Sequence, residues 1–129
     1  MTARLSRVLE LGRAGVPGDS QELARSEAFE QSPKCSLLAT EGQLRIVAAN
    51  QAMRLAAGYS EADLTQLSVT DIFRCEDGET LLRQLRNPSS QVPIRARQRT
   101  RGGAALEVEI TGFRLRARGR TLIAFIVSS

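Results

Sequence analysis

Glu76, Asp77 and Glu79 bring three carboxylates together, and Cys75 stands directly before them with Arg74 on its other side. Paired carboxylates can share general acid and base work, and a thiol beside a guanidinium and a helix start can ionise early enough to act as a redox-active nucleophile. The spacing favours a plainer role for the acids. They fall where a helix should begin, and carboxylates there cap open N–H groups and complement the helix dipole. The chain has no His and no Trp, so it lacks the Ser/His/Asp and Cys/His catalytic arrangements, a His ligand for haem and a phosphoacceptor histidine. Two distant cysteines, Cys35 and Cys75, do not complete a zinc site. Arg101-Gly102-Gly103 has neither the spacing nor the strand-then-helix setting of a phosphate loop and reads as a hairpin turn. The residues therefore point to a protein that is not an enzyme, with no catalytic group and no metal site. A redox role for Cys75 stays open.

The other conspicuous chemistry is basic. From Ile94 to Arg101 the chain alternates strictly, which puts Arg95, Arg97, Arg99 and Arg101 on one strand face; Leu106, Val108 and Ile110 alternate with Glu107 and Glu109, and Arg114, Arg116 and Arg118 repeat the pattern. Residues 1–91 hold ten basic and twelve acidic side chains, whereas 92–129 hold eight and two, so a charge of +6 sits on the last third. Such a stripe could neutralise phosphates. Against nucleic acid stand Glu107 and Glu109, placed for cross-strand pairs, and the lack of aromatic residues among the arginines apart from Phe113. Solvation, cross-strand ion pairs or contact with an acidic partner helix are the other readings of the same face.

A chain of 129 residues with 42% apolar content builds one core. Its longest apolar run, Leu122 to Val127, is far short of the roughly 20 residues that span a membrane, and Glu10 and Arg13 interrupt any secretory h-region. The default expectation is a cytoplasmic protein with both cysteines reduced. Thr2–Gly12 predicts a short helix with Leu5, Val8 and Leu9 on one face, and Gln21–Gln31 a second helix anchored by Leu23 and Phe29. Ser36–Thr40 and Leu44–Ala49 read as strands around a Glu41-Gly42-Gln43 turn. Asn50 then stands at a strand-to-helix junction, where its side chain can satisfy open backbone groups, and Gly58 stops the helix Gln51–Ala57. Ser60 with Asp63 suggests a capping box before a helix running to about Gln66. Val69–Phe73 predicts one turn, and Asp77–Leu85 a longer helix with Leu81, Leu82 and Leu85 on one face. Leu122–Val127 should be a buried central strand.

This order, from Phe29 through Asp77 and then three closing strands from Ile94 to Val127, resembles a PAS sensor domain. The resemblance covers roughly residues 29–129, with residues 1–28 as a helical leader. It implies an α+β fold: a five-stranded antiparallel sheet with short helices packed on one face, preceded by N-terminal helices. It also implies an interior site between sheet and helices, lined here by Leu38, Ile46, Met53, Phe73, Leu85, Val108 and Phe125, although core packing alone explains each of these. Ala56 and Ala57 stand where bulky residues are usual in the family, which could open space beside Met53 and Tyr59 for a small apolar or amphipathic ligand.

Light-sensing members carry a reactive cysteine at the position of approximately Val69, and Cys75 lies too late to replace it. Haem-binding members use a His, and flavin-redox members a Trp, that are missing here. No cofactor is therefore expected. Arg74-Cys75-Glu76-Asp77 replaces the family's usual His-Pro-Glu-Asp. The implied function is a signalling module that binds a small ligand, dimerises, or both, and relays the result to an output domain such as a kinase, a diguanylate cyclase or a transcription regulator in two-component or cyclic-nucleotide signalling. Leu5, Val8, Leu9, Leu23 and Phe29 are the candidate dimer contacts. A ligand-free dimerisation scaffold is the alternative, and a basic-sheet nucleic-acid binder is a third reading.

Overall fold

A computed structural model describes residues 27–89, 91–117 and 119–129. Helix α1 (Glu27–Gln31) leads into strands β1 (Cys35–Thr40) and β2 (Ile46–Ala49). Helices α2 (Gln51–Ala57), α3 (Glu61–Leu64) and α4 (Val69–Ile72) follow, then strand β3 (Phe73–Arg74), helix α5 (Gly78–Arg86) and strands β4 (Ile94–Arg99), β5 (Ala105–Ala117) and β6 (Arg120–Ser128). The strands form one antiparallel sheet in the order β2-β1-β6-β5-β4-β3. It has six strands where the sequence suggested five. The addition is the two-residue β3, whose Phe73 and Arg74 pair with Gln98 and Arg97; two residues are too few for an alternating pattern to announce a strand. The alternating stretch after the Gly102-Gly103 turn forms one long strand, Ala105–Ala117.

The predicted strand Leu44–Ala49 starts two residues later because Leu44 adopts a left-handed backbone, φ 57°, at the end of the β1–β2 turn. That conformation is unfavourable for a leucine. It persists because the side chain is wholly buried and the Leu44 carbonyl accepts the Val69 amide at 2.8 Å. The Ile46 amide likewise donates to the Leu67 carbonyl at 3.0 Å. Backbone from the α3–α4 link therefore covers the β2 edge of the sheet, a protection that edge strands commonly need.

Side-chain alternation gives the sheet two faces. Leu37, Ala39, Ile46, Ala49, Ile94, Ala96, Val108, Ile110, Ile123, Phe125 and Val127 point to the helix side and form one core with Met53, Ala57, Leu64, Val69, Ile72, Phe73, Leu81 and Leu85. On the opposite face a smaller cluster joins Phe29 of α1 to Leu38, Ala48, Leu115, Leu122 and Ala124. Gly112 is the point of closest approach: a Cβ there would lie 2.7 Å from the Pro88 Cβ and 3.0 Å from the Phe125 ring. Only glycine lets the link after α5 lie this close to the sheet.

The arginine pattern divides between these faces. Arg95, Arg97 and Arg99 lie away from the helices, with Arg95 opposite Glu109 and Arg97 opposite Glu107 as expected for cross-strand pairs. Arg114 and Arg116 lie on the helix side, in register with Ile123 and Thr121. The last third therefore does not present a single basic face. Arg114 is committed to Glu41 at 3.2 Å, the Arg86 carbonyl at 3.0 Å and Asn87 Oδ1 at 2.9 Å. Arg101 sits in the β4–β5 turn and donates to Asp63 at 2.8 Å.

Candidate ligand site and its framing junctions

The junction between β2 and α2 is built on Asn50, which is fully buried. Its Oδ1 accepts the amides of Met53 and Ser36, both at 3.0 Å. Its Nδ2 lies within bonding distance of the carbonyls of Lys34 at 2.7 Å, Phe29 at 3.1 Å and Ser32 at 3.3 Å. One side chain thus starts α2 and ties it to β1 and to the segment after α1. Arg54, one turn into α2, strengthens the tie with a two-pronged bond to Glu30 at 2.9 and 2.6 Å and a bond to the Ala49 carbonyl at 2.7 Å. The guanidinium holds the Glu30 carboxyl below its usual range, and the carboxylate raises the Arg54 pKa. Gly58 ends α2 in the left-handed conformation, φ 78°, as its sequence position suggested.

Among the proposed lining residues, Ile46, Met53, Phe73, Leu85, Val108 and Phe125 converge on the helix-side core, and Tyr59 packs half-buried against it. Leu38 does not. Its place in β1 turns it to the opposite face, against Phe29, because adjacent residues of a strand point to opposite sides. Ala56 is also misplaced by the sequence reading: it faces outward on α2, while Ala57 enters the core. The small side chain at 56 therefore opens no interior space. Val69 is buried in the core. Leu5, Val8, Leu9 and Leu23 lie outside the described residues.

Gln98 is the inward polar residue that the sequence reading passed over. It follows Ile94 and Ala96 in the buried alternation of β4 and is 2% exposed. Its side chain makes no hydrogen bond among the described residues. The alternation of β4, which places every second residue inside, is the sequence signal for it.

The junction between β3 and α5 has the opposite character. Arg74, Cys75, Glu76 and Asp77 are all exposed. Asp77 caps α5, its carboxylate accepting the Thr80 amide at 3.0 Å and the Thr80 hydroxyl at 2.6 Å. These bonds hold its pKa below the usual carboxylate range. Asp77, not Cys75, therefore occupies the helix start, and the Cys75 thiol donates to the Asp77 carbonyl at 3.0 Å. This segment forms one wall of an open groove of about 670 Å³, lined also by Arg95, Ala96, Arg97, Glu107, Val108, Glu109 and Ser129. Ala96 and Val108 belong to both the groove lining and the core, while the side chains of Arg95, Arg97, Glu107 and Glu109 lie on the face away from the helices. Among the described residues no cluster of side chains suits a metal ion, and no helix is long and apolar enough to cross a membrane.

Residues 33–129 match the family model described as PAS domain. Among solved structures, a PAS domain of an HTR-like protein from Haloarcula marismortui aligns at TM-score 0.65 and 20% identity, covering 99% of this chain and 98% of that one. A PAS domain from a two-component sensor histidine kinase aligns at TM-score 0.61 and 20% identity, covering 77% and 86%. An RNA-binding light-oxygen-voltage receptor aligns at TM-score 0.66 and 15% identity, covering 79% of this chain and 31% of that one. A sequence comparison with curated proteins returns no match. At these identities the structural likeness speaks for the fold, and the match across residues 33–129 settles the family: the chain belongs to the PAS domains, a family of typically sensory and signalling modules.

Proposed function

We propose that this PAS module takes a small amphipathic ligand on the helix side of its sheet and relays occupancy to an output domain, with self-association as part of the relay. The observation that carries the proposal is the open groove beside the β3–α5 junction, whose lining includes Ala96 and Val108 of the core. A ligand passing from this groove to the core would have to enter between β4 and the β3–α5 segment, leaving the charged rim for the apolar surroundings that such sites commonly offer. Gln98, on the same inward row of β4, adds a polar side chain that makes no hydrogen bond among the described residues. A kinase, a diguanylate cyclase or a transcription regulator would serve as output. The proposed ligand is neither haem nor a flavin that forms a cysteine adduct, since the chain has no His and carries Val69 at approximately the position that the adduct cysteine takes in the light-sensing members of the family.

A ligand-free dimerisation scaffold is the second reading, supported by the completeness of the core: Met53, Ile72, Phe73, Leu85 and Phe125 are each at most 1% exposed. Native mass spectrometry of the purified chain, followed by solvent extraction of anything bound, separates the two. A retained molecule, displaced or weakened in a Val108→Trp variant that crowds this lining, supports the sensor. A bare dimer that also accepts nothing from a library of small amphiphiles overturns it and leaves the scaffold.

A further inference from the structure

The two ends of the sheet are treated differently. The β2 edge is covered by backbone from residues 67–69, whereas the far end stops at β3, which pairs with β4 at only two positions. On the side away from the helices this end carries Arg74, Arg95, Arg97 and Arg99, all exposed. Arg74 and Arg97 are direct cross-strand neighbours, an arrangement of like charges that opposes pairing. Arg95 reaches Glu109 at 3.6 Å, but Arg74, Arg97 and Arg99 make no ion pair among the described residues. Arg54, Arg101 and Arg114, by contrast, are each matched to a carboxylate.

The geometry points to this edge, which shares Arg74, Arg95 and Arg97 with the open groove, as a docking surface for an extended acidic segment of a protein partner, a role distinct from ligand binding in the interior. Arginines on alternate positions of β4 repeat every 6.6–6.8 Å, roughly the spacing of two residues in a strand. Acidic side chains at every second residue of an extended segment have the same repeat. Beyond Arg97 the outer edge of β4 has no strand partner among the described residues, so such a segment could also add main-chain bonds there. The position of Glu107 and Glu109 on the same face selects against a nucleic acid. A phosphate chain carries charge at every step and would meet them, whereas a peptide can place neutral or basic residues opposite. No aromatic side chain is interleaved with the arginines to stack a base.

The test is fluorescence anisotropy of the full chain with a labelled peptide of alternating Glu and Thr. Its Gln-Thr counterpart and a labelled single-stranded RNA of similar length serve as comparisons, each at low and at physiological salt. The expected result is binding of the Glu-Thr peptide that weakens with salt and falls by about tenfold in an Arg97→Gln/Arg99→Gln variant. An Arg45→Gln variant, altered on the distant β1–β2 side, should bind as the parent does. Unchanged circular dichroism in both variants assigns the loss to the surface. Equal binding of the Gln-Thr peptide, no binding of either peptide, tighter binding of the RNA, or equal loss in the Arg45→Gln variant would each overturn the proposal.

Discussion

Two strand-to-helix junctions frame the helix side of the sheet, and they are built in opposite ways. At β2–α2 the chain turns inside the protein, so every backbone group it frees must find a partner away from water. Asn50 supplies those partners with one side chain and in doing so joins three segments. At β3–α5 the chain turns in solvent, where water satisfies what Asp77 does not. The buried junction is therefore fixed by hydrogen bonding and intolerant of change. The exposed one is free to vary, which is why it can carry an unusual Arg74-Cys75-Glu76 sequence and form a groove wall without loss of the fold.

Replacing Asn50 by Ala is the strongest way to break this contrast. It leaves the Ser36 and Met53 amides and several carbonyls of the 29–34 segment without their partners in a water-poor site. Chemical denaturation should show a loss of about 3–5 kcal/mol, near the upper end for a single substitution. Cys75→Ser in the exposed junction should change stability by less than about 0.5 kcal/mol. Similar losses at the two positions would show that burial does not set the difference.

A smaller effect attaches to Glu30, which holds α1 to the buried junction through Arg54. Glu30→Gln should cost about 0.5–1 kcal/mol, because the pair is partly solvated though two-pronged. The folded carboxyl has the lower pKa. The pair's contribution is then complete above the ordinary carboxylate range and is lost as pH falls through the folded value. The variant should accordingly lose less stability than the parent on mild acidification. Amide exchange should rise first in Glu27–Gln31, and an equal rise throughout the sheet would remove Glu30 from this role.

Much of this was legible in the chain because local rules and tertiary packing agree. Helix α2 between Asn50 and Gly58, the alternation of β4 and the turn at Gly102-Gly103 follow from capping, periodicity and backbone freedom alone. What the sequence concealed depends on contacts between distant segments. Leu38 lies in a continuous apolar run, so nothing local says which of its neighbours faces the helices. Gly112 resembles any strand glycine until Pro88 is brought over it. Ser60 does accept the Asp63 amide at 3.1 Å, but the Asp63 carboxylate goes to Arg101 in place of closing the capping box. At Ser68, where no box was foreseen, the Asp71 carboxylate accepts the Ser68 amide at 2.8 Å. The site suffered most, since an interior is lined by faces and a linear pattern fixes faces only where polar and apolar residues alternate.

The finest distinction between the junctions is chemical. Cys35 lies beside the buried one: its thiol donates to the Ala52 carbonyl at 3.5 Å, and burial raises its pKa. Cys75 lies in the open one, its thiol directed to the Asp77 carbonyl. Maleimide should therefore modify Cys75 well before Cys35, because the reaction needs both access and thiolate. Asp77→Asn sharpens the point. The amide oxygen can still accept the Thr80 N–H, so α5 should keep its start, while the carboxylate that titrates is gone. Since Asp77 ionises below its ordinary range in the folded chain, its capping contribution is present at neutral pH and fades as pH falls through the folded value. Amide protection in Gly78–Arg86 should accordingly depend less on acid pH in the variant than in the parent, with the relative labelling of the two thiols unchanged. If Cys35 instead became the faster thiol, the cap would be holding the whole β3–α5 wall in place, and the two junctions would be coupled through the core they share.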